Sequence, residues 1–331
     1  MACCQLIYDG AKVVFFFAIM TEPTLHHVHC SDSTGGHNMA WWQWGDAAAA
    51  RVLVCVHGLS RQGRDFDVLA QALLQRATRL GQPLRVVCPD VVGRGESDWL
   101  KDPMGYQFTT YVGDMLSMLA QLHQTAPMST LDWVGTSMGG IIGMSLAGMP
   151  GLPLPVPVHQ LVLNDVGPSI EWSALERIGE YLGKSSTFAT VEEGAASMRA
   201  ISTGFGPHTD EQWLALSRPM LKALPGGGFR MHYDPAMAVP YSHLTREASA
   251  QGEAALWEIY DQISADTLVL RGAESDLLSL ETVRQMQERG PRPRVVEFRG
   301  VGHAPTLVAP DQVQAVLDFL LPGADMLSRT P

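Results

Sequence analysis

The chain has 331 residues, 46% of them hydrophobic and 17% charged, with a mean hydropathy of +0.03. That is enough for a sizeable core, one large α/β domain with an insertion or two smaller units, and it excludes a disordered chain or a multi-span membrane protein. With 34 acidic against 23 basic residues the net charge is −11, the wrong sign for a partner such as nucleic acid or anionic lipid.

The first 20 residues read as an N-terminal extension. The apolar run from Val13 to Ile19 is too short to span a bilayer, only Lys12 precedes it as a base, and no small-residue cleavage site follows. The expectation is a cytoplasmic protein without stable membrane insertion. The five cysteines, Cys3, Cys4, Cys30, Cys55 and Cys88, are odd in number and lack paired CxxC spacing, so neither a disulfide framework nor a zinc site is expected. Cys55 and Cys88 lie in apolar runs and read as small core residues.

From Thr24 the text alternates. Thr24 to Cys30 and Met39 to Trp44, separated by a turn-rich Ser31 to Asn38, predict an antiparallel pair. Val52 to Val56 is continuously apolar, as suits a strand buried on both faces. Phe66, Leu69, Ala70, Leu73 and Leu74 then recur at helical spacing before a strand at Arg85 to Cys88. A helix from about Tyr111 to His123, a strand at Leu131 to Val134, a helix after Ser137 and a strand at Gln160 to Leu163 continue the pattern. Strands separated by helices of this length predict a mostly parallel sheet covered on both faces. From Gly167 to about Gln262 the strand rhythm stops, and helical pieces broken by Gly and Pro suggest an inserted helical cap, residues 167–262. Its aromatic residues, from Trp172 to Trp257, read mainly as packing, with some available to line an apolar pocket. Core strands resume at Thr267 to Leu270 and Arg294 to Phe298, and a last helix covers Asp311 to Leu320. The core is thus expected in two parts, 21–166 and 263–331.

Chemistry enters at Gly135-Thr136-Ser137-Met138-Gly139, a G-x-S-x-G between a strand and a helix. That context makes Ser137 a candidate nucleophile, because the sharp turn brings chain segments close to the serine and leaves no room for a Cβ on either glycine. A serine hydroxyl needs a base. Among 11 histidines, His303 in Gly302-His303-Ala304 is best placed, in a loop after the final strand, where open α/β sheets collect reacting groups. The orienting acid is expected at Asp276, in Gly272-Ala273-Glu274-Ser275-Asp276 after the penultimate strand. Asp165, in Asn164-Asp165-Val166, is the alternative if the acid sits one strand earlier. The developing oxyanion calls for main-chain donors, and the Met138 and Leu59 N–H groups are the expected pair, Leu59 from the loop His57-Gly58-Leu59-Ser60.

Taken in order, His57-Gly58, the turn from Asp90 to Ser97, the serine pentapeptide, Asn164-Asp165, Gly272 to Asp276 and Gly302-His303 resemble the α/β-hydrolase superfamily, specifically its serine carboxylesterase-like branch with a cap between two core strands. The resemblance covers nearly everything after Met20. It implies a triad of Ser137, Asp276 and His303, oxyanion donors Leu59 and Met138, a structural role for the Asp90 to Ser97 turn, and no cofactor or metal. Thr136 stands where many relatives carry His or Asn, so no relative's substrate transfers safely, and the single glycine of His57-Gly58 departs from an HGGG loop, which disfavours tertiary-alcohol esters. The expected substrates are small acyl esters or hydroxyacid oligomers. The same triad would serve a C–C bond, a thioester or a lactone, and a ligand-binding receptor with a hydrolase fold is the alternative from another class.

Overall fold

The computed structural model describes residues 22–184 and 186–323, preceded by backbone fragments of two-residue strands between Cys4 and Phe17 that pair apart from the main sheet. Beyond those fragments, the Val13 to Ile19 run lies outside the described residues.

Eight strands form the central sheet: β1 (Thr24–Cys30), β2 (His37–Gly45), β3 (Arg51–Val56), β4 (Arg85–Asp90), β5 (Thr130–Thr136), β6 (Val158–Asn164), β10 (Asp266–Gly272) and β11 (Arg294–Phe298). Their spatial order is β11-β10-β6-β5-β3-β4-β2-β1. The β1–β2 and β2–β4 pairs are antiparallel, and every other pairing is parallel. This is the α/β-hydrolase fold the sequence predicts, with strand ends one or two residues longer than the apolar runs in most cases.

The pleat explains why those runs are apolar throughout. Val52, Val54 and Val56 of β3 face one core together with Leu131 and Trp133 of β5 and Leu161 and Leu163 of β6. Leu53 and Cys55 face the other, with Val134, Val162, Leu268 and Leu270. The helices α2 (Phe108–Thr125) and α3 (Met138–Gly148) close the first core. The second is closed by α1 (Asp67–Arg79), through Leu69, Ala70, Leu73 and Ala77, and by α9 (Pro310–Leu320). Cys55 and Cys88 are wholly buried free thiols in that second core.

Between β6 and β10 the chain forms α4 (Trp172–Tyr181), α5 (Val191–Ile201), α6 (Asp210–Ser217), α7 (Ala238–Ser242) and α8 (Arg246–Asp261). A purely helical reading of this segment is incomplete. Strands β7 (Thr187–Phe188), β8 (Leu221–Ala223) and β9 (Phe229–Met231) form a small antiparallel sheet, β9 in the middle, which packs against Met198 and Met220. Strands of two or three residues are too short to display an alternation of period two. Among the described residues, no helix is long and apolar enough to cross a membrane.

The antiparallel edge is fastened by charge. His37, where β2 begins, places Nδ1 2.9 Å from Asp32 Oδ2 and Nε2 3.0 Å from Asp114 Oδ2 on α2. Burial pushes the imidazole toward neutrality, but the hydrogen bonds to Asp114, Cys30 and Asp32 outweigh it and raise its pKa from 6.5 to about 11. A group whose folded pKa is raised contributes stability in full below 6.5, and that stability is lost as pH climbs toward 11. In denaturant melts, the stability advantage of wild type over His37→Gln is expected to shrink by about 1 to 3 kcal/mol between pH 6 and pH 10.5. An advantage independent of pH would show that folding leaves the proton affinity of the ring unchanged.

Candidate functional site

Ser137 is the single residue between β5 and α3, with φ 52° and ψ −117°. A non-glycine residue holds this conformation only where its surroundings enforce it. They do so through close backbone contact. A Cβ on Gly139 would overlap the Val56 carbonyl at the end of β3, one on Gly135 would overlap the Gly139 carbonyl, and one on Gly140 would overlap Val166. The Trp133 indole N–H donates to the Gly139 carbonyl at 3.0 Å and the Ser137 N–H to the Asn164 carbonyl at 3.0 Å, so the turn is tied to both neighbouring strands.

His303 lies in the loop after β11, mostly buried, its side chain 14% exposed. Its Nε2 is 3.0 Å from Ser137 Oγ and its Nδ1 is 2.7 Å from a carboxylate oxygen. That carboxylate belongs to Asp165, not to Asp276. Asp165 follows β6 directly, is wholly buried and has φ 55°. Its Oδ1 accepts the Gly272 N–H at 2.9 Å, and its Oδ2 accepts the Ser275 hydroxyl at 2.6 Å as well as the imidazole.

The expected acid Asp276 is half-exposed and points the other way, where it forms a two-bond ion pair with Arg177 of α4 at 2.7 and 3.0 Å. The reason lies in the turn after β10. The Ser275 N–H closes onto the Gly272 carbonyl at 3.0 Å, and the Ser275 hydroxyl receives the Leu277 and Leu278 N–H groups at 3.3 and 3.1 Å. This aims Ser275 inward at Asp165 and leaves its neighbours Glu274 and Asp276 facing solvent. The histidine loop sits flush against the same strand end, since a Cβ on Gly272 would overlap the Gly302 carbonyl.

Asn164 is a participant that the motif reading quoted without a role. Wholly buried, it donates through Nδ2 to Thr136 Oγ1 at 2.9 Å and to the Pro305 carbonyl at 2.8 Å, joining the serine turn to the histidine loop. Its position beside Asp165 at the end of an apolar strand is the signal available in the sequence.

The loop His57 to Ser60 lies against the serine, an ideal Cβ on Gly58 falling 3.7 Å from Ser137 Cβ. His57 is wholly buried. It receives the Val91 N–H on Nε2 at 3.0 Å, so the ring proton sits on Nδ1, which donates to the Gly58 carbonyl at 2.7 Å. Burial, with smaller contributions from the charges of Arg94 and Arg61, overrides the Gly58 bond and pushes its pKa down to about 3, keeping the ring neutral. Because a trans peptide points its C=O and N–H in opposite directions, capture of the Gly58 carbonyl fixes the direction of the Leu59 N–H. The Met138 N–H opens α3 and has no partner within the helix. Among the described residues, neither N–H has an acceptor.

The Asp90 to Ser97 turn builds structure beside this site. The Asp90 carboxylate accepts the N–H groups of Gly63 and Glu96 and the Trp42 indole at 2.7, 2.9 and 3.2 Å. The segment between β6 and β10 closes over the turn and the histidine loop: Gly95 N–H donates to the His232 carbonyl, Asp234 N–H to the Gly93 carbonyl, and Gly302 N–H to the Gly204 carbonyl.

The model of the alpha/beta hydrolase family matches residues 53–316. The chain is 49% identical over 301 residues to a 3-hydroxybutyrate-oligomer hydrolase from Cupriavidus necator, covering 90% of this chain and 98% of that one. It is 25% identical over 294 residues to an esterase from Mycobacterium tuberculosis, 84% and 83% of the two chains. An alpha/beta hydrolase structure from Novosphingobium aromaticivorans superposes with a TM-score of 0.74 at 33% identity, covering 92% of this chain and 99% of that one. The strand order, the serine turn and these matches converge, and the chain belongs to the alpha/beta hydrolase family.

Proposed function

We propose that this ester hydrolase cleaves short oligomers of 3-hydroxyacids through an acyl-enzyme on Ser137, with His303 as base and Asp165 as the orienting acid. The observation that carries the reading is the His303 ring, whose two nitrogens lie 3.0 Å from the Ser137 hydroxyl and 2.7 Å from the Asp165 carboxylate. The name of the Cupriavidus necator relative, matched over 98% of its length, supports the substrate class.

Ser137 Oγ attacks the ester carbonyl as its proton passes to His303 Nε2, and Asp165 stabilises the imidazolium. Negative charge gathers on the former carbonyl oxygen, where the Leu59 and Met138 N–H groups receive it. Collapse breaks the C–O bond of the ester, the imidazolium delivers its proton to the departing alkoxide, and the alcohol-side fragment leaves with a free hydroxyl. Water then attacks the acyl-enzyme with His303 again as base, releasing the second fragment as a carboxylic acid and restoring the serine. The step needs only ester and water. In this reading residues 167–262 act as a cap over the serine, and the buried free thiols of Cys55 and Cys88 fit a reducing, cytoplasmic location.

Two measurements test the proposal, both on variants whose melting temperature shows them folded. Ser137→Ala is expected to lower kcat on a 3-hydroxybutyrate trimer, and on a p-nitrophenyl acyl ester, by about 10⁴-fold or more. Retained turnover removes the nucleophile from the scheme, and turnover of the simple ester without the trimer removes the substrate class.

Asp165→Asn is expected to cost about 10³- to 10⁴-fold in kcat, whereas Asp276→Asn stays within threefold of wild type. The reverse ranking would return the acid to the loop after β10.

A further inference from the structure

Arg94 is a wholly buried charge that the scheme above does not use. Its Nε donates to the Leu59 carbonyl at 2.8 Å, one Nη to the Val92 carbonyl at 2.6 Å, and the other Nη approaches Met138 Sδ at 3.5 Å. The guanidinium lies over the Tyr111 ring at 5.0 Å and near the Tyr106 ring at 5.9 Å. Among the described residues no carboxylate pairs with it. A buried charge normally pairs with an opposite one, because leaving it alone in a dry interior is costly. A guanidinium keeps its charge on burial.

The placement gives this charge a use. Leu59 and Met138 are the residues assigned above to receive the oxyanion, and Arg94 contacts both. The two peptide groups around Leu59 are held from opposite sides: His57 captures the Gly58 carbonyl at 2.7 Å and Arg94 the Leu59 carbonyl at 2.8 Å. With both carbonyls fixed, the Leu59 N–H between them loses its freedom to rotate away. The cation also adds positive potential in a dry region, where charges are weakly screened. The residue is anchored from outside the site as well, since its backbone bridges to Tyr233 while Gly93 and Gly95 on either side bond to Asp234 and His232.

We propose that Arg94 is a positioning residue for the oxyanion site, fixing the Leu59 N–H and favouring negative charge on the tetrahedral oxygen. The proposal rests on Ser137 being the nucleophile, and labelling of Ser137 by a fluorophosphonate probe checks that separately. Arg94→Lys and Arg94→Met are compared with wild type at equal concentrations of active sites, counted by the p-nitrophenol burst, so that a misfolded fraction drops out. Arg94→Met is expected to lower kcat by about 10- to 100-fold, with KM changed less than threefold and the affinity for a boronic acid that forms a tetrahedral serine adduct reduced by the same factor as kcat/KM. Arg94→Lys, which keeps the charge but not the fork of donors, is expected to fall between the two. If Arg94→Met does not fold, Arg94→Lys alone decides, with an expected loss of at least fivefold in kcat. Normal kcat per active site, or a loss confined to KM, would overturn the proposal and leave Arg94 as packing. Probe labelling at another residue would sink the nucleophile assignment instead.

Discussion

The geometry of the site rests on one imidazole ring that two side chains must reach from different strands. Ser137 follows β5, Asp165 follows β6, and His303 follows β11. Parallel strands place their carboxyl ends at one edge of the sheet, so Asp165 and Ser137, 138 and 166 positions before His303 in the chain, both arrive within hydrogen-bond distance of its ring. The sheet order supplies the rest. β5 and β6 are neighbours, and β10 stands between β6 and β11. The histidine loop therefore has to cross the end of β10 to reach the serine, and the glycine at that crossing is Gly272.

Close approach is the condition that makes this crossing work. The Gly139 backbone packs on Val56 and Gly272 on Gly302 at distances that leave no room for a side chain, and Gly302 sits tightly against Gly204. These contacts join α3 to β3, and β10 through the histidine loop to the segment after β6, backbone against backbone. Rigidity here comes from excluded volume, with hydrogen bonds fixing direction: Ser137 N–H to Asn164, Gly272 N–H to Asp165, Gly302 N–H to Gly204. A strained serine dihedral is tolerable in such a setting because every neighbouring atom opposes its relaxation.

How much of this was legible follows from the length scale of each signal. Strands such as Arg51–Val56 and Val158–Asn164 are buried on both faces, so their apolar runs stand out and the fold can be read from them. The serine turn is legible because a strained conformation demands glycine at fixed offsets. The histidine is legible from its loop. Which carboxylate meets the imidazole is not, because Asp165 and Asp276 both follow a sheet strand in a plausible turn, and the placement depends on which residue of the turn after β10 faces inward. The Ser275 hydroxyl faces inward, bonding to Asp165 and to two backbone N–H groups at once, a three-dimensional arrangement with no periodic trace. The short strands around Phe229–Met231 were hidden for a different reason: with three residues, neither alternation nor an apolar run can develop.

With the Asp165 carboxylate at the imidazole, the turn after β10 is left with other contacts. Asp276 is free to meet Arg177 on α4, and the two-bond geometry looks strong, yet the side chains are 47% and 40% exposed. Pairs that wet are worth roughly 0 to 1 kcal/mol, less in salt. By contrast, Ala174 and Ile178 on the same helix are buried in the main core, and a buried Ile alone is worth about 1.5 to 3 kcal/mol. Apolar burial must therefore hold α4 in place, while the ion pair selects its angle relative to the turn. Asp165 takes its three hydrogen bonds from Gly272, Ser275 and His303, none of them on α4, so the helix reaches the carboxylate behind the imidazole only through the turn that carries Ser275 and Asp276.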